Sequence, residues 1–350
     1  MLELPKTICE ITGARDCQPG EVIQNLWSGY GVIQRVQLDL PEHPTAIIKH
    51  IDLSKARQNR RGWSGDVSHQ RKVRSYEIEK TFYEKYAKEC ASVGPRPVRT
   101  GRDPGPFCRV PKMLATFEDP ESSGLLLVLE DLDAAGFNLR TSNHGRSVMS
   151  NLYPCLRWLA DFHAIFMGRE PTDLWTVGTY WHLETRQEEW TVMEGGQLKQ
   201  FSSEIDQRLK DAKFQTLVHG DAKLANFCFR ANTQNQDDAV DVAAVDFQYV
   251  GGGCGMKDVA YLMSSCLDGS ESKSQQNDLL NIYFQQLKKS LAVAQPNLDI
   301  TGVESEWREL YDFAWADFCR FLAGWSPGHW KLNEYSDQVT RNVLNQLAGE

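Results

Sequence analysis

The sequence predicts an α+β fold in two lobes, with an antiparallel sheet first and a mainly helical part after it. Three observations predict it. The first part holds short β-branched or alternating runs: VIQRVQL after Gly31, AIIKHI at Ala46 to Ile51, and LLLVL at Leu125 to Leu129. From about residue 145 the apolar residues fall into helical spacing, with Leu152, Leu156, Leu159, Phe162 and His163 on one stripe. At 350 residues the chain can bury a large core and divide in two.

Residues 1–25 read as a short helix and a first strand. In NLWSGYGVIQRVQLDL, Gly29 and Gly31 form a turn between two strands. The second strand alternates Val32, Gln34, Val36 and Leu38 against Ile33, Arg35 and Gln37. Two glycines let backbone N–H groups approach a phosphate, although a hairpin turn without a ligand has the same wording. Ala46 to Ile51 is a strand with one charge in it, Lys49. Residues 54–74 carry Lys55, Arg57, Arg60, Arg61, Arg71, Lys72 and Arg74 against a single acid, Asp66. Gly62 and Gly65 flank Trp63 there, and a solvated loop accounts for the stretch more simply than a mobile basic lid near phosphates.

A helix is predicted from about Ser68 to Glu89. Val73, Tyr76, Tyr83 and Tyr86 share one face. Glu79 falls on that face, whereas Glu77 and Glu84 do not. A carboxylate on an apolar stripe needs a partner when buried. Residues 92–123 are rich in Pro and Gly and give short strand pieces. The apolar strand Leu125 to Leu129 then ends in Glu-Asp-Leu. In the helical part His163 reads as a satisfied core histidine. Trp175, Trp181 and Trp190 read as packing in preference to a substrate wall.

The decisive stretch is LVHGDAKLANFCF, Leu217 to Phe229. Inside its polar turn His219, Asp221 and Asn226 stand in the order H-x-D-x-x-x-x-N, the spacing of a kinase catalytic loop. Twenty residues after Asn226, Asp246 ends a second strand-like run in AAVDFQ. Phosphoryl transfer from ATP needs a carboxylate to accept or orient the proton of the attacking hydroxyl. It also needs hard oxygen ligands for Mg²⁺. Asp221 fits the first need; Asn226 and Asp246 fit the second. Either motif alone would also suit an Asp or Asn that orders a β-turn; the two together at this spacing favour the chemistry.

HGDAKLANF resembles the HGDxxxxN motif of the aminoglycoside phosphotransferase and choline kinase superfamily. With VDFQYVGGGCGMKDVAYLM, the wording is similar to the choline kinase-like and ecdysteroid kinase-like small-molecule phosphotransferases. The resemblance implies a protein kinase-like two-lobed fold, with residues 1–131 as the nucleotide-binding lobe and 132–350 as the catalytic and acceptor lobe. It implies Asp221 as catalytic base and Asn226 and Asp246 as metal ligands, with ATP and Mg²⁺ as cofactors. Gly220 stands where protein kinases have Arg, and Gln248 stands where their DFG has Gly; both are usual in the small-molecule group.

Within that frame Lys49 matches the strand lysine that holds the α and β phosphates, and Glu79 its helix partner. The family's E-x-x-x-Y wording supports Glu79. Gly29 and Gly31 become the phosphate turn. Backbone groups near Glu130 to Leu132 become the hinge that bonds adenine, and Lys223 a contact to the γ-phosphate. Asp258 opens the helix VAYLMSSCL, either as its cap or, preferably, as a brace for the catalytic loop. Near the C-terminus Tyr311, Phe313, Trp315, Phe318, Phe321, Trp325, Trp330 and Tyr335 crowd together. Helical spacing explains about half of them as core, and choline kinases use a C-terminal aromatic pocket.

The acceptor is expected to be a small-molecule hydroxyl: an amino alcohol, an aminoglycoside, a sterol or a sugar. A protein substrate is disfavoured, because the segment after Asp246 is short and no A-P-E follows it. A catalytically silent kinase-like binding protein is the other reading, and the presence of every chemical position argues against it. The net charge of −9 gives no reason to expect a nucleic-acid or membrane partner; it fits plain solubility and mildly favours neutral or cationic substrates. Nine scattered cysteines, an odd number without C-x-x-C, suggest reduced thiols in a cytoplasmic protein with no zinc site. The N-terminal wording is not that of a signal peptide.

Overall fold

The computed structural model describes residues 3–26, 29–52, 66–90, 107–119, 124–140, 148–231 and 240–349. The basic residues 54–65, most of the Pro- and Gly-rich stretch and the polar loop 232–239 lie outside the described residues.

Helix α1 (Leu4–Thr12) leads into strands β1 (Cys17–Asn25), β2 (Gly31–Leu38) and β3 (Thr45–Ile51). Helix α2 (Asp66–Thr81), a π turn (Phe82–Tyr86) and α3 (Ala87–Cys90) follow, then β4 (Met113–Asp119) and β5 (Gly124–Glu130). The five strands form one antiparallel sheet in the order β1-β2-β3-β5-β4. The alternation of β2 sorts its side chains as the sequence predicts. Val36 and Leu38 face α1, in a small core with Ile8, Ala46, Ile48, Leu126 and Val128. Ile33 and Arg35 face the other way, into a cleft. β5 is apolar throughout because both its faces are covered: Leu126 and Val128 lie under α1, while Leu125, Leu127 and Leu129 join the main core.

The remainder is mostly helical. It comprises α4 (Val148–Ile165), the short α5 (Gln187–Val192) and α6 (Gln197–Gln200), and α7 (Ser202–Lys210). Four short strands follow, β6 (Thr216–Val218), β7 (Phe227–Ala231), β8 (Val240–Ala244) and β9 (Gly251–Gly253). They pair as β6 with β9 and β7 with β8. Then come α8 (Met256–Cys266), α9 (Gly269–Ala294), α10 (Ile300–Trp325) and α11 (Glu334–Ala348). The fold is thus α+β and two-lobed, with the protein kinase-like arrangement of a sheet lobe above a helical lobe. No helix among the described residues is long and apolar enough to cross a membrane.

The structure corrects the predicted helix 68–89. It begins at Asp66, and it widens into a π turn where Phe82 and Tyr83 both meet Phe247. Neighbours on a regular helix diverge by about 100°, and the wider turn lets both rings reach one partner. Phe82 stacks on Phe247 at 3.8 Å between centroids. This contact ties α2 to the residue next to Asp246.

Candidate active site

The loop after β6 is braced from below. Asp258, in the first turn of α8, accepts hydrogen bonds from His219 N (2.6 Å) and Gly220 N (2.9 Å), and is also bonded by His163 Nε2 (3.2 Å). Gly255 holds the cap position, so Asp258 is the brace that the sequence favours. His163 is fully buried between Asp258 and the Tyr283 hydroxyl (2.7 Å), a satisfied core residue. Gly220 has φ 80°, and a Cβ there would lie 2.1 Å from the Tyr249 carbonyl. Backbone conformation and close approach together demand glycine. His219 accepts from Asp221 N through Nδ1 (3.3 Å), so its Nε2 donates to the Val245 carbonyl (3.1 Å).

Asp221 then projects with both oxygens engaged. Tyr261 donates to Oδ1 (3.1 Å), while Lys223 Nζ (2.8 Å) and Asn226 Nδ2 (3.0 Å) donate to Oδ2. Asn226 Nδ2 also bonds the Asp221 carbonyl (2.8 Å), and the Asn226 carbonyl accepts from Val245 N (3.0 Å). The two strand ends that carry Asn226 and Asp246 are thereby pinned to each other.

Asp246 sits at φ 69°, a strained conformation for a non-glycine residue and one that clusters at functional sites. Lys49 Nζ lies 3.2 Å from its Oδ1, and the same ammonium bonds Glu79 Oε2 at 2.5 Å. Lys49 and Glu79 are both buried. Burial opposes the Lys49 ammonium, but Glu79 and Asp246 outweigh it and raise its pKa above the ordinary value. Burial would also raise the Asp246 carboxyl; Lys49, Lys72 and Lys223 overcome this and hold it down at about 2.

Glu130 and Leu132 line the same cleft, at the end of β5. The Glu130 carboxylate is engaged by Arg109 (2.6 Å) and Lys112 N (3.0 Å). Gly29 and Gly31 do not line the cleft; Leu26, Tyr30 and Ile33 do so from this hairpin. Gly31 has a structural reason of its own, since a Cβ would lie 1.9 Å from the His50 carbonyl on β3.

Several residues escaped the sequence reading. Lys72 belongs to the basic stretch read as a solvated loop, yet it lies on α2 and donates to Gln248 Oε1 (2.8 Å), whose Nε2 donates to Asp246 (2.6 Å). Burial lowers the Lys72 pKa to about 8. The signal was present, because Lys72, Tyr76, Glu79 and Tyr83 fall at i, i+4, i+7 and i+11. Gln248, standing where DFG has glycine, is the link between α2 and Asp246. Arg71, also from the basic stretch, bonds the Thr185 carbonyl (2.7 Å) and lines the cleft. Beyond Asp221 the wall is built by Tyr180, Arg186, Tyr261, Phe321, Trp325 and Lys331. Trp175, Trp181 and Trp190 are not part of this wall and pack elsewhere.

The sequence model of the ecdysteroid kinase-like family matches residues 176–295. Over this third the chain is similar to that family. The matched segment contains Asp221, Lys223, Asn226, Asp246 and Asp258, and the resemblance read from HGDAKLANF holds over it. Lys49, Glu79 and Lys72 lie outside the matched residues, and geometry alone joins them to Asp246 and its neighbours. A search of curated proteins finds no relative. Among solved structures, the chain is similar to an amicoumacin kinase in complex with AMP-PNP, Ca²⁺ and its ligand (12% identity, 98% of this chain and 92% of that one, TM-score 0.46). It is also similar to a choline kinase from Streptococcus pneumoniae (13% identity, 99% of each chain, TM-score 0.43). A third is an ethanolamine kinase from Plasmodium vivax (10% identity, 94% and 81% coverage, TM-score 0.44).

Proposed function

We propose that the protein is an ATP- and Mg²⁺-dependent phosphotransferase that moves the γ-phosphate to a hydroxyl of a small molecule. One observation carries this reading: the buried Lys49–Glu79 pair reaches across the cleft to Asp246. Residues distant in sequence meet there in the order that phosphoryl transfer needs.

In this reading residues 1–131 hold the nucleotide and residues 132–350 hold the acceptor and the base. Backbone groups at Glu130 to Leu132 take the adenine edge, and the hairpin between β1 and β2 borders the nucleotide through Leu26, Tyr30 and Ile33, not through Gly29 and Gly31. Lys49, fixed by Glu79, holds the α and β phosphates. Lys72 and Lys223 add positive charge on the γ side. Asn226 spends its Nδ2 on Asp221, which leaves Oδ1 for a cation. Asn226 and Asp246 form a pair of hard oxygens that suits Mg²⁺, an ion that completes its shell with phosphates and water. Among the described residues no group of three His, Cys, Asp or Glu could close a metal site alone, which fits an ion shared with substrate. When bound, Mg²⁺ neutralises charge on the transferring phosphoryl group. Asp221, oriented by Tyr261, Lys223 and Asn226, takes the proton of the acceptor hydroxyl or aims its oxygen.

The test is release of ADP by purified protein with MgATP across a panel of hydroxyl-bearing compounds. Acceptor-dependent ADP release that stops on removal of Mg²⁺ is expected. Nucleotide binding without acceptor-dependent release from any compound would favour a silent binding protein.

A further inference from the structure

The acceptor side of the cleft is lined by aromatic rings, and aromatic faces in water-poor pockets attract cations. Here the chain supplies those cations itself. Lys331, just beyond α10, places Nζ 4.9 Å from the Tyr261 ring centroid, 5.1 Å from Phe318 and 5.7 Å from Trp330. The Arg186 guanidinium covers Phe321 at 5.4 Å and Tyr180 at 5.9 Å. Arg186 is neutralised by Glu189 at 2.9 Å. Lys331 Nζ has no carboxylate or hydrogen-bond acceptor among the described residues. Tyr261, whose face carries Lys331, is the residue whose hydroxyl bonds Asp221, so this ammonium borders the place where an acceptor must sit. Burial lowers the Lys331 pKa to about 8, which marks a charge short of compensation.

We propose that Lys331 is a specificity residue of the acceptor site: it fills the aromatic box against cationic amines and selects hydroxyl compounds that have an apolar body and no cationic group. This rests on the phosphotransferase reading for the identity of the site. An acceptor ammonium would meet Lys331 and Arg186 on the faces it needs, and like charges at that range repel. A neutral or anionic acceptor avoids that repulsion. It can stack on the exposed ring of Trp325, which is itself backed by Phe321 in a parallel stack within 13° at 5.7 Å, and can offer an oxygen to Lys331 while its hydroxyl reaches Asp221.

The test uses three benzyl alcohols that differ only at the para position, which carries a carboxylate, a hydrogen or a trimethylammonium group. Their binding to the full chain is measured by calorimetry, and ADP release with MgATP is measured beside it. The wild type should bind the carboxylate and neutral members and exclude the trimethylammonium member. Lys331→Ala uncovers the rings and should improve trimethylammonium binding by about tenfold, the scale of a partly desolvated cation–π contact, while weakening the carboxylate member. Lys331→Arg keeps the charge and should keep the wild-type order, which separates selectivity from any loss of fold. Wild-type preference for the trimethylammonium member, an order unchanged in Lys331→Ala, or binding of none of the three would overturn the proposal. Binding in the expected order with no ADP released from any member would support the selectivity and count against the phosphotransferase reading.

Discussion

At the scale of single residues the site depends on strain and charge held in place by neighbours. Asp246 keeps a positive φ and sits among three lysines. Its carboxyl titrates at about 2 in the folded chain against an ordinary 3.8. The folded state therefore binds this proton less readily than the unfolded state does. The resulting stability is complete above the unfolded value and is lost as pH falls through it toward the folded value. Melting of the wild type and Asp246→Asn should thus differ by a constant amount near neutral pH. Below about pH 4 the wild type should lose ground to the variant. A difference that stays constant down to pH 2.5 would show that the lysines do not hold the carboxylate. Asp221, Asn226 and Asp246 were legible because their spacing is fixed by a local strand–turn–strand. The reason for Gly220 was not legible, since the Tyr249 carbonyl that excludes a side chain arrives from 29 residues away.

At the scale of elements, α2 carries the connection between the lobes. Its inner face presents Lys72, Tyr76, Glu79 and the π turn to β3 and to the Asp246 segment. Helical periodicity made Glu79 legible and made Glu77 and Glu84 outward-facing, as the structure has them. The same periodicity placed Lys72 inward, but charge composition obscured it. The π turn was not legible, because it answers to Phe247, a tertiary partner. Removing one member of a buried ion pair leaves the other uncompensated and costs about 3–5 kcal/mol. Lys49→Ala and Glu79→Ala should each approach that cost and each impair nucleotide binding. The double variant should be little worse than the worse single one, because residues that act as a unit are non-additive. Urea unfolding and nucleotide titration of all four proteins measure this. Additive losses would mean that the 2.5 Å contact carries no coupling.

At the scale of the whole molecule, a sheet lobe followed by a helical lobe was legible from the change of period along the chain. The cleft wall beyond Asp221 was not. It is assembled from residues 180–189, 249–261 and 318–331, three segments that only the folded helical lobe brings together. The C-terminal aromatics divide accordingly: Tyr311, Phe313 and Trp315 are core, while Phe318, Phe321 and Trp325 reach the cleft. The whole arrangement converges on Asp221. In the proposed reading Asp221 is a positioned general base, which contributes about 10² to 10⁴ in rate, and other residues make the phosphate contacts. Asp221→Asn retains the size of the side chain, so the most direct measurement follows nucleotide binding, thermal melting and phosphotransfer on one preparation of this variant. The expected result is a folded, nucleotide-binding protein whose transfer to the acceptor falls by roughly 10²- to 10⁴-fold. A folded, nucleotide-binding Asp221→Asn protein with undiminished transfer would contradict the account.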